Sequence, residues 1–433
     1  MLLAVAFAAL PGIALAQDAL TLGDAMARAR EATPAARALA AASEEADARV
    51  REARAGYLPR VDVTEGVQRG NNPVFAFSSL LSQQRFTAAN FDIRELNHPS
   101  PITNIHTALT VEQPVFDAGL TRLAVQGAAL GRDVASAERT RATQDLALAA
   151  AQAFVGVLQL EAADHANSAA LDAAQSDRGR ARARRDVGMV TDADVLALDV
   201  HLADVRQRQI ATAGDLVVAR MRLADAIGAP LDARFTLVKP ADAAMSQDGD
   251  ALVREARAGR AEGRQAALRV SLAENARRTV QAQFLPTVGA QAGWEFNGNT
   301  WDQQRSSWIV GAQVRLNLFR GFGDAARLAE AKHAETRAGA EREQVDRAIE
   351  VDVRAAIARL DTARACDEVG RTAVAQARES QRIIRDRYDS GLATVTDVLR
   401  AAEATLDAES RATAAEMDVI LQAVALDRAL GKL

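Results

Sequence analysis

The sequence predicts a mainly α-helical protein with a membrane-spanning β part, built as two tandem copies of one unit. Three observations predict it. First, the stretch Arg184–Asp199 (RRDVGMVTDADVLALD) returns as Arg387–Ala402 (RYDSGLATVTDVLRAA). Gly188 and Gly391, Thr191 and Thr394, Asp194 and Asp397, and at the flanks Phe116 and Phe319, Gly228 and Gly431, all lie 203 residues apart. A register kept without net gap over about a hundred residues marks a duplicated unit. Second, each copy holds a long stretch of helical periodicity. The first, Ala118–Val187, has no proline; at about 1.5 Å per residue it would span about 100 Å, longer than a globular domain is wide. Third, four segments of about ten residues alternate apolar and polar side chains, the length and dyad period of an outer-membrane strand.

Composition agrees. The 433 residues are 49% apolar but only 4% aromatic, the bias of long packed helices. A net charge of −5 argues against a broadly basic nucleic-acid surface.

Residues 1–16 are an apolar run with Ala14 and Ala16 before Gln17, which reads as a secretory signal peptide without its positive n-region. The single cysteine, Cys366, allows no disulfide within a chain and, inside a helical stretch, is expected to serve packing. After the signal no run of about 18 uncharged apolar residues occurs, so no transmembrane helix is expected and membrane contact falls to strands.

The first repeat, 17–228, opens with a helical pattern over 20–56, interrupted at Pro34. Strands follow at about 57–70 and 105–116, where Val61, Val63 and Val67, then Ile105, Leu109 and Val111, alternate with polar residues. Between them, 71–104 reads as an exposed polar excursion too long for a tight hairpin. The long helix then breaks at Gly188, suited to a left-handed turn, with a turn at 188–192. Asp192 is expected to cap the next helix, which Gly228 and Pro230 stop. The linker, 229–250, holds a short strand at 234–238. The second repeat, 251–433, replays the order: a helix to about 283, then Leu285-Pro286 matching Leu58-Pro59. Strands follow at about 287–297 and 308–319, then a long helix, a turn at 389–394 and a helix to 430. In its strands Val288, Ala290, Ala292, Trp294 and Phe296 share one face, as do Trp308, Val310, Ala312, Val314, Leu316 and Leu318.

Four strands cannot close a barrel, which needs about eight, and open edges cannot face lipid because their N–H and C=O groups would go unsatisfied. An oligomer is therefore required, and three copies supply twelve strands. The alternative is a soluble periplasmic coiled-coil scaffold whose strands form a small packed domain.

The layout resembles the TolC-like family of trimeric outer-membrane efflux and secretion channels. The motifs that carry the resemblance are the strand-to-helix junctions Gln113-Pro114-Val115-Phe116-Asp117-Ala118-Gly119 and Asn317-Leu318-Phe319-Arg320-Gly321-Phe322-Gly323. With them go the Leu-Pro pairs ending in Pro59 and Pro286, and the two Gly-x-x-Thr-x-x-Asp-Val-Leu turns. The resemblance implies a twelve-stranded outer-membrane barrel continued by a trimeric α-helical barrel across the periplasm. That assembly is a passive duct meeting a periplasmic adaptor and an inner-membrane transporter. It places Gly188, Thr191 and Asp194 on one periplasmic tip turn and Tyr388, Gly391, Thr394 and Asp397 on the other. Carboxylates of Asp194 and Asp397 repeated about a threefold axis would favour cations; the plainer reading is that each stabilises its own helix start. Where the family's gate uses an arginine and a further aspartate, this chain has Ala393 and Arg400, which leaves Arg400 as a partner for an aspartate.

Other signals point nowhere else. Gly321-Phe322-Gly323-Asp324 brushes a dinucleotide fingerprint, but the strand before it alternates, unlike a buried parallel strand. His98, His106, His165, His201 and His333 show no metal spacing, and nothing assembles a nucleophile with acid and base. No cofactor, metal or catalytic residue is expected. The basic cluster Arg178, Arg180, Arg182, Arg184 and Arg185 reads as a solvated or intersubunit-paired helix face, with an adaptor-docking or membrane-proximal patch as the sharper alternative.

Overall fold

A computed structural model of the chain describes residues 19–240 and 248–433. The expected signal peptide, and residues 241–247 of the expected linker, lie outside them. The elements begin with β1 (Ala19–Thr21), α1 (Leu22–Glu31), α2 (Pro34–Ala55) and β2 (Arg60–Gly70). The excursion that follows carries α3 (Pro73–Ser82) and α4 (Ile93–Asn97). Then come β3 (Ile102–Phe116), α5 (Leu120–Asp186), α6 (Asp192–Ala226) and β4 (Thr236–Val238). The second half holds α7 (Gly249–Gly259), α8 (Ala261–Ala282), β5 (Thr287–Gly298), β6 (Arg305–Arg315), α9 (Gly323–Asp389) and α10 (Val395–Leu430).

The two halves match in two registers. Pro34 and Ala261, which start α2 and α8, and Ala55 and Ala282, which end them, each lie 227 residues apart. Past the strands the interval is 203: α5 and α9 are both 67 residues long, and α6 and α10 start at Asp192 and Val395. The first half's longer β-to-β excursion accounts for the change. Continuous helix over 251–283 is corrected by a break at Arg260, whose backbone is extended (φ −67°, ψ 136°). Arg260 stands 227 residues after Thr33, where α1 and α2 part.

Strand ends are corrected by pairing. β2 starts at Arg60, three residues later than expected, because Tyr57 and Leu58 still donate to helical carbonyls of Arg54 and Ala55 and Pro59 has no N–H. β3 begins at Ile102, where Gly70 meets it. β6 runs over 305–315 and not 308–319, since its partner β5 begins at Thr287, opposite Arg315, just after Pro286. The excursion is corrected most. Asn72 accepts from the Phe75 N–H at 3.2 Å and Pro73 holds the first turn, so α3 forms. Phe77, Phe86 and Phe91 stack edge to face at 4.6 and 5.1 Å.

Two compact units result, cutting across the repeats. The first comprises the described residues up to Ala42, with Ala137–Arg264 and Glu343–Leu433. One core joins Leu20, Ala25 and Ala29 to Phe154, Val155 and Val157 of α5, Leu223 and Ile227 at the end of α6, and Met417 of α10. A second joins Leu252, Val253 and Ala256 of α7 to Ile349 and Val353 of α9 and Leu430 of α10. α5 holds an 18-residue window of mean hydropathy 1.6, so among the described residues one helix is long and apolar enough to cross a membrane. Phe154, Val155 and Val157 are buried within protein.

The second unit, Ser43–Ser136 with Gln265–Arg342, contains a four-stranded antiparallel sheet of order β2-β3-β5-β6. A bulge between Pro114 and Phe116 absorbs a proline that cannot donate inside a central strand.

Candidate functional site

The sheet register sorts side chains into two faces. Val61, Val111, Ala292 and Val310 form one row across all four strands, and Val63, Leu109, Trp294 and Trp308 the next. The opposite face carries Thr64, Ala108, Glu295 and Ser307, then Gly66, His106, Asn297 and Arg305. The apolar rows are open: Val63 is 69%, Trp308 71% and Val310 68% exposed. Glu65 interrupts that face and accepts from the Thr107 hydroxyl at 2.5 Å. β2 and β6 each have one unpaired edge within the chain.

The strand-to-helix junctions repeat a left-handed pair of residues. Ala118 and Gly119 have φ of 54° and 82°, while Gly321 and Phe322 have 57° and 65°. The same turn thus puts its glycine second in one copy and first in the other. Asp117 closes the first junction by accepting from the N–H groups of Gly119 and Thr121 at 2.9 and 2.6 Å. In the second, Phe319 packs edge to face on Phe322 at 5.3 Å.

Both tip turns are built alike. Gly188 and Gly391 have φ of 77° and 76°. Paired bonds close each helix end: Gly188 and Met189 donate to Arg185 and Arg184 carbonyls, and Gly391 and Leu392 to those of Tyr388 and Arg387. A Cβ on either glycine meets nothing within 4 Å, so the backbone angle alone calls for glycine. The expected cap Asp192 is corrected to Thr191. Thr191 and Thr394 accept from the Asp194 and Asp397 N–H groups, and those carboxylates return to the threonine N–H and hydroxyl at 2.7–3.0 Å. This reciprocal capping box satisfies otherwise orphaned donors. The Thr394 backbone N–H, then its hydroxyl, hold the Asp397 carboxyl below the usual range, with Arg400 and Arg387 adding their fields. Arg400 acts on Asp397 through that field.

Arg184 makes the bond between the tips. Its guanidinium donates to the Tyr388 and Asp389 carbonyls at 3.1 and 3.3 Å and to the Asp389 carboxylate at 2.9 Å, and lies 4.8 Å from the Tyr388 ring centre. A cation there compensates the carbonyls and carboxylate at the C-terminus of α9. Tyr388 also packs on a small core of Ala181, Val195, Leu198 and Val395 drawn from both repeats. Sequence reading missed this contact. The signal was the divergence of the copies: Tyr388 stands where the first repeat has Arg185, so the duplicated turns are not interchangeable. Further ion pairs join the repeats, among them Arg385–Asp177 at 3.2 Å, Arg208–Glu403 at 2.6 Å and Arg428–Asp145 at 2.8 Å.

The basic cluster is neutralised. Arg178 and Arg182 pair with Asp199, Arg180 with Asp177, and Arg185 with Asp186 and Asp192. Cys366, expected to pack, is exposed.

A sheet with one open apolar face and duplicated helical hairpins ending in capped turns is the build of an outer-membrane channel protein. The chain belongs to the outer membrane efflux protein family, which it matches over residues 25–229 and 252–432. Its fold is TolC-like. Against the outer membrane protein VceC of Vibrio cholerae the TM-score is 0.77 at 21% identity, covering 95% of this chain and 96% of that one. Against the Campylobacter jejuni CmeC outer membrane channel it is 0.81 at 14%, covering 95% and 85%. Against the Neisseria gonorrhoeae MtrE outer membrane channel it is 0.72 at 18%, covering 95% and 88%. No curated protein matches by sequence.

Proposed function

We propose that three copies of this chain close a twelve-stranded barrel in the outer membrane of a Gram-negative bacterium, continued by a helical barrel into the periplasm. The assembly is the passive duct of a tripartite efflux or type I secretion system. It takes substrate from a periplasmic adaptor and inner-membrane transporter to the exterior. One observation carries this reading: a sheet whose apolar face and both edges are left open within the chain. Unpaired edge groups in lipid each cost several kcal/mol (about 2 or more), and pairing β2 of one copy with β6 of the next removes them.

The tip turns form the periplasmic gate in this reading. Asp194 and Asp397 line it while serving as capping residues, and Arg184 holds the two turns of one chain together. Fractionation with heat-modified gel analysis tests the proposal. A duct stays with outer membranes as a detergent-stable trimer. Release by osmotic shock as a monomer would instead mark a soluble periplasmic scaffold.

A further inference from the structure

The excursion between β2 and β3 does not project away from the sheet. α3 touches β3, β5 and β6, and it buries one helical stripe, Ala76 and Ser79, followed by Gln83 just past its end, all 3% exposed or less. Gln83 donates to the Thr103 carbonyl at 2.8 Å and the Asn104 side-chain oxygen at 2.9 Å, and accepts from Arg85 at 3.1 Å. Asn104 in turn donates to Asn297 at 2.8 Å. Asn104 and Asn297 alternate with the apolar set, so both stand on the polar face. A fully satisfied amide, itself buried, pins the excursion to that face and to no other. A loop that merely lay in solvent would not bury a glutamine, because burial without partners costs about 1–3 kcal/mol.

We propose that residues 71–101 fold inward as a constriction at the outer mouth of the duct, with Gln83 as the pin, limiting passage by size. The inference rests on the reading that the polar face lines the duct. Three copies about the axis would then crowd one opening. Edge-to-face contacts among Phe77, Phe86 and Phe91 and the Gln83 bonds make the excursion a preformed body and not a slack tether. It lies at the Gly70–Ile102 end of β2 and β3 and shares no residue with the tip turns, so the duct would have a second narrow point that does not depend on Arg184 or the capped aspartates.

The test uses trimers in outward-facing outer-membrane vesicles, with Cys366→Ala as background. Thr64→Cys sits on the polar face inward of the excursion and Val63→Cys on the apolar face. Each is labelled from outside with a small charged methanethiosulfonate reagent and with a polyethylene-glycol maleimide. Thr64→Cys should react with the small reagent and at least about tenfold more slowly with the large one, as a pore-diameter limit requires. Adding Gln83→Ala, or replacing 73–99 by a Gly-Ser linker, should admit the large reagent. Equal labelling of Thr64→Cys by both reagents in the intact excursion overturns the constriction and leaves the channel standing. So does continued exclusion of the large reagent after replacement of 73–99. Equal labelling of Val63→Cys and Thr64→Cys by the small reagent overturns the channel reading and the constriction with it.

Discussion

Arg184, and not either tip aspartate, makes the contact between the two repeats at their turns. Asp194 and Asp397 each spend one carboxylate oxygen on their own threonine, so removing them should weaken a helix start before it frees anything across the tip. Asp194→Ala and Asp397→Ala should each cost about 1 kcal/mol of stability, read by thermal melting. Arg184→Ala should raise single-channel conductance in planar bilayers several-fold, with Arg184→Lys between it and wild type because lysine keeps the charge and loses the fork. If the double aspartate variant alters conductance and Arg184→Ala does not, the gate belongs to the aspartates.

A second residue-scale prediction concerns Glu262. Burial works against its charge, but hydrogen bonds from Arg260 and Arg428 overcome it and hold its pKa at about 2. Because that lies below the unfolded value near 4.5, its stabilisation is complete above pH about 4.5 and is lost as pH falls through 2. Glu262→Ala leaves Arg260, 8% exposed, with Asp352 and Arg428, 11% exposed, with Asp145 as the remaining carboxylate partners, and should cost about 1.5–3 kcal/mol. Melting at neutral pH would show it, and the gap from wild type should narrow in acid.

At the scale of elements, local signals predicted most of the chain. Pro59 and Pro286 end helices because they lack a donor, and Gly188 and Gly391 end the long ones because only glycine takes φ near 77° without strain. Gly391→Ala should therefore cost about 1–2 kcal/mol with no steric clash to relieve, measured against Gly179→Ala, an α5 glycine at ordinary φ. Two elements escaped prediction. The break at Arg260 follows Gly259, the last residue of α7, with no proline to mark it; it is held by Arg260 pairing with Glu262 and Asp352 at 3.0 Å. The excursion's polar composition concealed an Asn72-Pro73 helix start and three phenylalanines that find one another only after folding.

For the whole molecule, the open apolar rows and unpaired edges belong together. A chain alone exposes both, and the proposed threefold assembly in lipid would remove both. Val310→Arg, on the apolar face of the edge strand β6, should cost about 2–4 kcal/mol if it lies near the bilayer midplane. The detergent-stable trimer on unheated gels should diminish accordingly. A variant assembling as well as wild type would mean that this face does not meet lipid.

The sequence by itself determined the duplication, the two-faced strands, the long helices and the glycine turns, since each depends on spacing within a short stretch of chain. It also determined that Thr and Asp three apart stand at both turns, though it named Asp192 as the cap where Thr191 serves. Tertiary structure alone decided that Arg184 reaches Asp389 and Tyr388, that Asp199 answers two arginines of the basic cluster, and that Gln83 is pinned to Asn104. Those partners lie up to about 200 residues apart in the chain, and no local period carries the distance between them. What brings them together is the packing of one repeat on the other and the register of four strands.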